Sequence, residues 1–171
     1  FLKGRHAFNQ WSVAGYRAAT EFFKRAIAVD PEFREAYSYL ASSYSARMSW
    51  NGDLSPDEAN EQIQTYLAEA WRRGPTDNDY LTKSYVEFFI DKDFAAAEES
   101  LLTALKINAN NGALYYAYGY LLNMAGRFEE ASATIEKARA IDPLTVGYFN
   151  HRAVCLYLSG QYDKALSTLA E

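Results

Sequence analysis

The side chains able to do chemistry are few and scattered. His6 and His151 stand near opposite ends of the 171-residue chain, and the one cysteine, Cys155, lies in the apolar run Ala153-Val154-Cys155-Leu156. A zinc site needs three or four converging Cys, His or carboxylate ligands, and this set does not supply them. A lone thiol among apolar neighbours reads as a small buried hydrophobe and has no internal disulfide partner. The carboxylates of Asp91-Lys92-Asp93 and of Asp53, Asp57 and Glu58 could serve acid–base work or calcium. Their positions at turns and at a helix start make them solvated, dipole-complementing charges instead. There is no H-E-x-x-H, C-x-x-C, G-x-S-x-G or glycine-rich phosphate loop. The expectation is a protein with no catalytic residues, no metal and no cofactor.

Charge narrows the partners. The net charge is −5, and the basic residues form no stripe of the kind that displaces counterions from a phosphate backbone, so nucleic acid is not expected. No run approaches the ~18 apolar residues of a membrane span, so no direct membrane contact is expected. A cytoplasmic location follows, or a periplasmic one if a span precedes these residues. The start, Phe1-Leu2-Lys3-Gly4, resembles neither an initiator nor a signal peptide and reads as part of a longer protein. Only 4 Pro and 9 Gly leave little room for the turns of an all-β fold, which favours helices.

The elements that must position any site repeat along the chain. Small, large apolar and Ala residues precede a break four times, as Ala19/Phe23/Ala26/Pro31, Ile63/Leu67/Ala70/Pro75, Ala97/Leu101/Ala104/Ala109 and Ala131/Ile135/Ala138/Pro143. A fifth set begins with Ala165 and Leu169. The breaks at 75, 109 and 143 are 34 apart, and the step from 31 to 75 is 44, so the second unit carries ten extra residues. Phe94, Phe128 and Tyr162 keep the same 34-residue step, with Gly126 and Gly160 two residues ahead of the last two. The preceding halves repeat as well: Tyr37/Leu40/Ala41/Tyr44 recur as Tyr115/Tyr118/Gly119/Leu122 and, more loosely, as Phe149/Arg152/Ala153/Leu156. In the weakest copy, Leu81/Ser84/Tyr85/Phe88, Tyr85 takes the small-residue position. Steps of three and four place each set on one helix face. Small residues let paired helices approach, and Pro stops the second helix of a pair. No such pair buries its apolar face alone, so the pairs must stack.

The spacing predicts helices at roughly 1–11, 15–29, 33–48, 56–73, 77–90, 94–107, 111–125, 128–141, 145–159 and 162–171. Ser55, Pro56 and Glu58 form a capping-box start for the fourth. The long connector before it contains Trp50, which either contacts a ligand or tucks against its own helices.

Period and residues together resemble the tetratricopeptide repeat (TPR) family, whose motif places an aromatic, Leu, Gly/Ala, Tyr, Ala, Phe, Ala and Pro at these spacings. The resemblance implies an all-α fold, a right-handed superhelix of antiparallel helix pairs with about 4.5 repeats. It forms a single domain over 1–171, with repeats near 1–33, 34–77, 78–111, 112–145 and a truncated 146–171. Ala109 in place of Pro and the insertion depart from the pattern. In this family the first helix of each pair lines a concave surface. Carried over, those positions are Glu35, Ser38, Ser42 and Ser45; Asp79, Thr82, Val86 and Phe89; Ala113, Tyr116, Tyr120 and Asn123; and Gly147, Asn150, Val154 and Tyr157. Phe8 and Trp11 would add to the first unit. Val86, Phe89, Tyr116, Tyr120, Asn123, Asn150 and Tyr157 are the binding candidates: aromatic anchors with directed amides suit an extended peptide. The same rings could instead pack within the stack. The positions that carry a basic carboxylate clamp in one TPR subclass hold Gly4, Ser38, Asp79 and Thr82 here, which argues against that clamp.

Leu2 to His6 and Gly15 to Pro31 are also similar to bacterial TPR regions that follow class III adenylyl or guanylyl cyclase, winged-helix regulator or protein kinase domains. The implied function is a non-catalytic interaction or sensory module of a signalling protein, with a protein or peptide ligand. The aromatic surplus and the uncapped last repeat leave a second expectation open, a homo-oligomer that brings effector domains together. A regulatory small-molecule site is a third.

Overall fold

The computed structural model describes residues 1–49 and 52–169, with the backbone alone described at Ser49, Val146 and Phe149. Trp50, and with it the alternatives for that ring, lies outside the described residues, as do the last two residues of the expected 162–171 helix. Ten helices and no strand are found among the described residues: α1 (Leu2–Phe8), α2 (Val13–Val29), α3 (Arg34–Ser49), α4 (Pro56–Arg72), α5 (Asp77–Phe89), α6 (Phe94–Ile107), α7 (Gly112–Met124), α8 (Phe128–Ile141), α9 (Val146–Leu158) and α10 (Tyr162–Leu169). Two compact units result, residues 1–97 and 98–171.

The repeat positions form the cores of both units. In residues 1–97, Ala19, Phe23, Ile63, Ala70 and Ala97 have no exposed surface. Phe23 and Ile63 belong to one cluster with Leu40, Tyr44 and Val86. In residues 98–171, Ala104, Ala131, Ile135 and Ala138 are equally buried. Close helix approach explains the small residues. A Cβ on Gly119 of α7 would lie 2.6 Å from Ile135 Cδ1 and 3.3 Å from the Ala131 carbonyl oxygen of α8.

Helix ends follow local chemistry. The chain leaves α1 at Phe8, earlier than the period suggests, because Ser12 caps α2 by accepting the Gly15 N–H at 3.0 Å. Trp11, between them, takes a positive φ of 48° and is exposed. Gly126 and Gly160 end α7 and α9 with φ of 76° and 78°. The position 34 residues before Gly126 is Lys92, which adopts φ 58°; a non-glycine residue pays roughly 1 kcal/mol or more for this conformation.

The ten extra residues lengthen both helices of the second pair. Here α3 and α4 have 16 and 17 residues, against 13 and 14 in α7 and α8. Ser55 and Glu58 form the expected capping box, with the Ser55 N–H donated to Glu58 Oε2 at 2.9 Å and the Glu58 N–H to Ser55 Oγ at 3.3 Å. The connector is tied down by Asp53. Its carboxylate accepts from Arg17 Nε at 2.7 Å and from Arg47 Nε and Nη2 at 3.0 and 2.7 Å. The Arg47 guanidinium, then Arg17, hold that carboxyl far below the usual carboxylate range.

Candidate functional site

In residues 1–97 the inner positions close on each other. Asn78 Nδ2 donates to Ser38 Oγ at 2.8 Å and Ser42 Oγ at 3.0 Å, and the Ser42 and Thr82 hydroxyls lie 2.8 Å apart. Ser38, Ser42, Ser45, Thr82 and Val86 are all buried, and the hydroxyls of Ser38, Ser42 and Thr82 join α3 to α5 instead of presenting a surface. Asp79 is fully buried and is taken up by Arg34, with which it pairs. Its Oδ2 also accepts the Thr76 N–H at 2.8 Å and the Thr76 hydroxyl at 3.1 Å. Arg34 reaches further to the Gly74 carbonyl at 2.6 Å, and so clamps the start of α3 to the α4–α5 turn. Val86 contributes to the floor of a cavity of about 530 Å³ between α4 and α5, beside Trp71, Lys83 and Glu87. Phe89 is half-buried, with its ring 4.7 Å from Phe88 in an edge-on arrangement.

In residues 98–171 the face of α7 is different. Tyr116, Tyr120 and Asn123 follow one another at steps of four and three, on one side of the helix. His151 of α9, buried to 8% exposure, stands edge-on to both tyrosine rings, 5.1 Å from Tyr116 and 5.7 Å from Tyr120. Tyr148 adds a fourth ring 5.4 Å from Tyr116. Burial pushes the His151 imidazole down to about 4, so it is a neutral aromatic wall at physiological pH. Burial also raises the Tyr116 and Tyr120 phenols, which remain protonated donors.

Asn123 closes this surface. The residue is 9% exposed, and its Oδ1 has no hydrogen-bond partner among the described residues. Buried carbonyl oxygens without a partner are rare because each costs about 1–3 kcal/mol. Here is an acceptor one turn from a tyrosine wall, with no donor supplied by the described residues.

Asn150 and Tyr157 lie elsewhere. With Val154 and Leu166 they line a groove of about 570 Å³ between α9 and α10. The seven candidates thus divide among an α4–α5 cavity, the half-buried Phe89, an α7 tyrosine face and an α9–α10 groove. The family positions do not select His151. The available signal was its face: Tyr148, His151 and Cys155 stand at i, i+3 and i+7, the face that α9 turns to α7 and α8. Cys155 is fully buried there, and burial lifts its thiol to about 11.

Among the described residues no helix is long and apolar enough to cross a membrane. Residues 88–148 match the model of the tetratricopeptide repeat family. Among solved structures, the chain is similar to TTC0263, a thermophilic TPR protein of Thermus thermophilus, at 25% identity and a TM-score of 0.64, covering 94% of this chain and 77% of that one. MamA gives 20% identity and a TM-score of 0.61 over 98% and 85% of the two chains. YrrB, described as a TPR protein with an unusual peptide-binding site, gives 18% and 0.59 over 95% and 85%. Helix pairs at a 34-residue period, a repeat match across residues 88–148 and these structural likenesses agree: the chain has a tetratricopeptide-repeat fold.

Proposed function

We propose that this chain is a non-catalytic binding module that takes an extended peptide or protein segment on the α7 face of residues 98–171. The observation that carries this is Asn123, whose buried Oδ1 lacks a partner beside the Tyr116–His151–Tyr120 wall. Rotation of the Asn123 side chain brings this buried oxygen, inaccessible in the free chain, to a peptide backbone N–H, and the tyrosine phenols suit flanking apolar side chains and carbonyls. YrrB, of the same fold, has a peptide-binding site. The likeness of Leu2 to His6 and Gly15 to Pro31 to bacterial regions behind cyclase, winged-helix or kinase domains supports placing the module in a signalling protein.

Asn123→Leu separates this role from a structural one. Removing an unsatisfied buried amide stabilises the free chain by about 1 kcal/mol. The same change weakens peptides selected from a random display library by at least tenfold, because a backbone donor loses its acceptor. Urea unfolding and fluorescence titration measure the two. A variant that is less stable and binds those peptides as well as the parent sinks the assignment of Asn123.

A further inference from the structure

Residues two periods apart hold equivalent places on the first helix of a pair, and at one such place the two units differ in charge. In α9, His151 and Cys155 are buried, against the α7 tyrosines and against Leu122 and Ala131. Two 34-residue periods earlier, α5 carries Lys83 and Glu87, which form an ion pair. Glu87 is 8% exposed. Burying a carboxylate costs free energy that a neutral side chain avoids, and α9 shows that the repeat itself asks for no charge here.

The α4–α5 seam is open beside this pair. Hydroxyl contacts draw α5 toward α3, where the Ser42 and Thr82 oxygens lie 2.8 Å apart. Trp71 of α4 meets Tyr80 of α5 edge-on, with ring centroids 4.9 Å apart, and so closes the seam near the α4–α5 turn. Beyond that contact lies the cavity of about 530 Å³, a size common to small-molecule sites. It sits within residues 1–97, between two fully described helices, and not at a chain end. Its charged groups are sorted by sign. Arg72 and Lys83, with side chains 68% and 42% exposed, stand toward the Trp71 end. Glu87 and Asp91 follow Lys83 at steps of four toward the other end. Leu67, Trp71 and Val86 supply apolar surface between them. At helical rise, Lys83 to Asp91 spans roughly 10–12 Å.

We infer that the α4–α5 cavity binds a short free peptide in its zwitterionic form. The ligand carboxylate faces Arg72 and Lys83, its ammonium faces Glu87 and Asp91, and a central apolar side chain rests on Trp71. Charge and length together select this class. An extended tripeptide spans about 10 Å, so both of its termini meet opposite charge. A longer chain brings at most one terminus into the cavity, and a single amino acid holds its two charges too close together to reach both ends. The site shares no residue with the α7 face and stands whether or not that face takes a peptide.

Calorimetric titration of Ala-Leu-Ala into the 171-residue chain tests it. The expected result is binding with Kd at or below about 1 mM. N-acetylation and C-amidation of the tripeptide each weaken it about tenfold, the loss of one charge-assisted contact. Asp91→Asn lowers the penalty of acetylation and leaves that of amidation unchanged; Arg72→Gln does the reverse. Both residues are exposed, so both variants keep the parent circular dichroism spectrum. Tyr116→Ala/Tyr120→Ala binds the tripeptide as the parent does. No binding at a tripeptide concentration of about 10 mM overturns the inference. So do capping penalties that neither charge variant alters, or a loss of binding in the tyrosine double variant.

Discussion

Replacing Asp79 with alanine lowers the unfolding free energy by about 3–5 kcal/mol, the cost of leaving a buried charge unpaired. The carboxylate is fully buried and pairs with Arg34, whose side chain is 14% exposed. Arg34 retains the Gly74 carbonyl and the Thr76 hydroxyl as acceptors, but neither neutralises its charge. The same substitution removes the carboxylate that accepts the Thr76 N–H at the start of α5, adding the loss of a helix cap. Asp79→Asn keeps an acceptor for that N–H and costs less than alanine. The double variant Asp79→Ala/Arg34→Leu recovers part of the loss, since removing both charges removes the unpaired one. Urea denaturation of the three variants checks the series. An alanine variant within 1 kcal/mol of the parent means that Arg34 finds other solvation and that the clamp is not a stabilising element.

Acidification from pH 7 to pH 4 destabilises the parent by about 3 kcal/mol more than it destabilises His151→Phe. The imidazole is 8% exposed and packed edge-on against two tyrosines, and burial lowers its pKa from 6.5 to about 4. The unfolded chain therefore takes up this proton first as pH falls. Above about pH 6.5 both states hold a neutral imidazole and there is no penalty. Between about 6.5 and about 4 the unfolded state is favoured progressively, and below that the difference levels off. Phenylalanine preserves a flat ring between Tyr116 and Tyr120 without a titratable group. Carboxylates elsewhere titrate alike in both proteins and cancel in the difference. Equal pH profiles for the two proteins would mean that the imidazole is solvated in the folded chain.

Much of the fold can be read from residue spacing, because the period is imposed by packing. Ala131, Ile135 and Ala138 repeat Ala97, Leu101 and Ala104 since each helix pair needs the same close approach, and all six are buried. Helix boundaries marked by strong chemistry, such as Ser55-Pro56 and Gly160, coincide with expectation. The end of α1 does not: Ser12 competes as a cap, and a period alone carries no information about that competition. The site is less legible. Family positions bring Tyr116, Tyr120 and Asn123 together, yet they also select Ser38, Thr82 and Val86, which are buried. Whether such a position faces solvent or a neighbouring helix depends on helix rotation by a fraction of a turn, which spacing does not resolve. Asp79 illustrates this, since its role depends on Arg34, 45 residues away in sequence. The division into residues 1–97 and 98–171 is likewise invisible in a repeat that continues through it.

Calorimetric titration of one library-selected peptide into the parent chain and into Tyr116→Ala/Tyr120→Ala addresses the central claim, that the α7 face is a peptide site. Two aromatic anchors at the centre of a contact are each worth about 2 kcal/mol or more on truncation, so the double variant binds at least 100-fold more weakly while its circular dichroism spectrum is unchanged. A folded double variant that binds the peptide within threefold of the parent would contradict the claim.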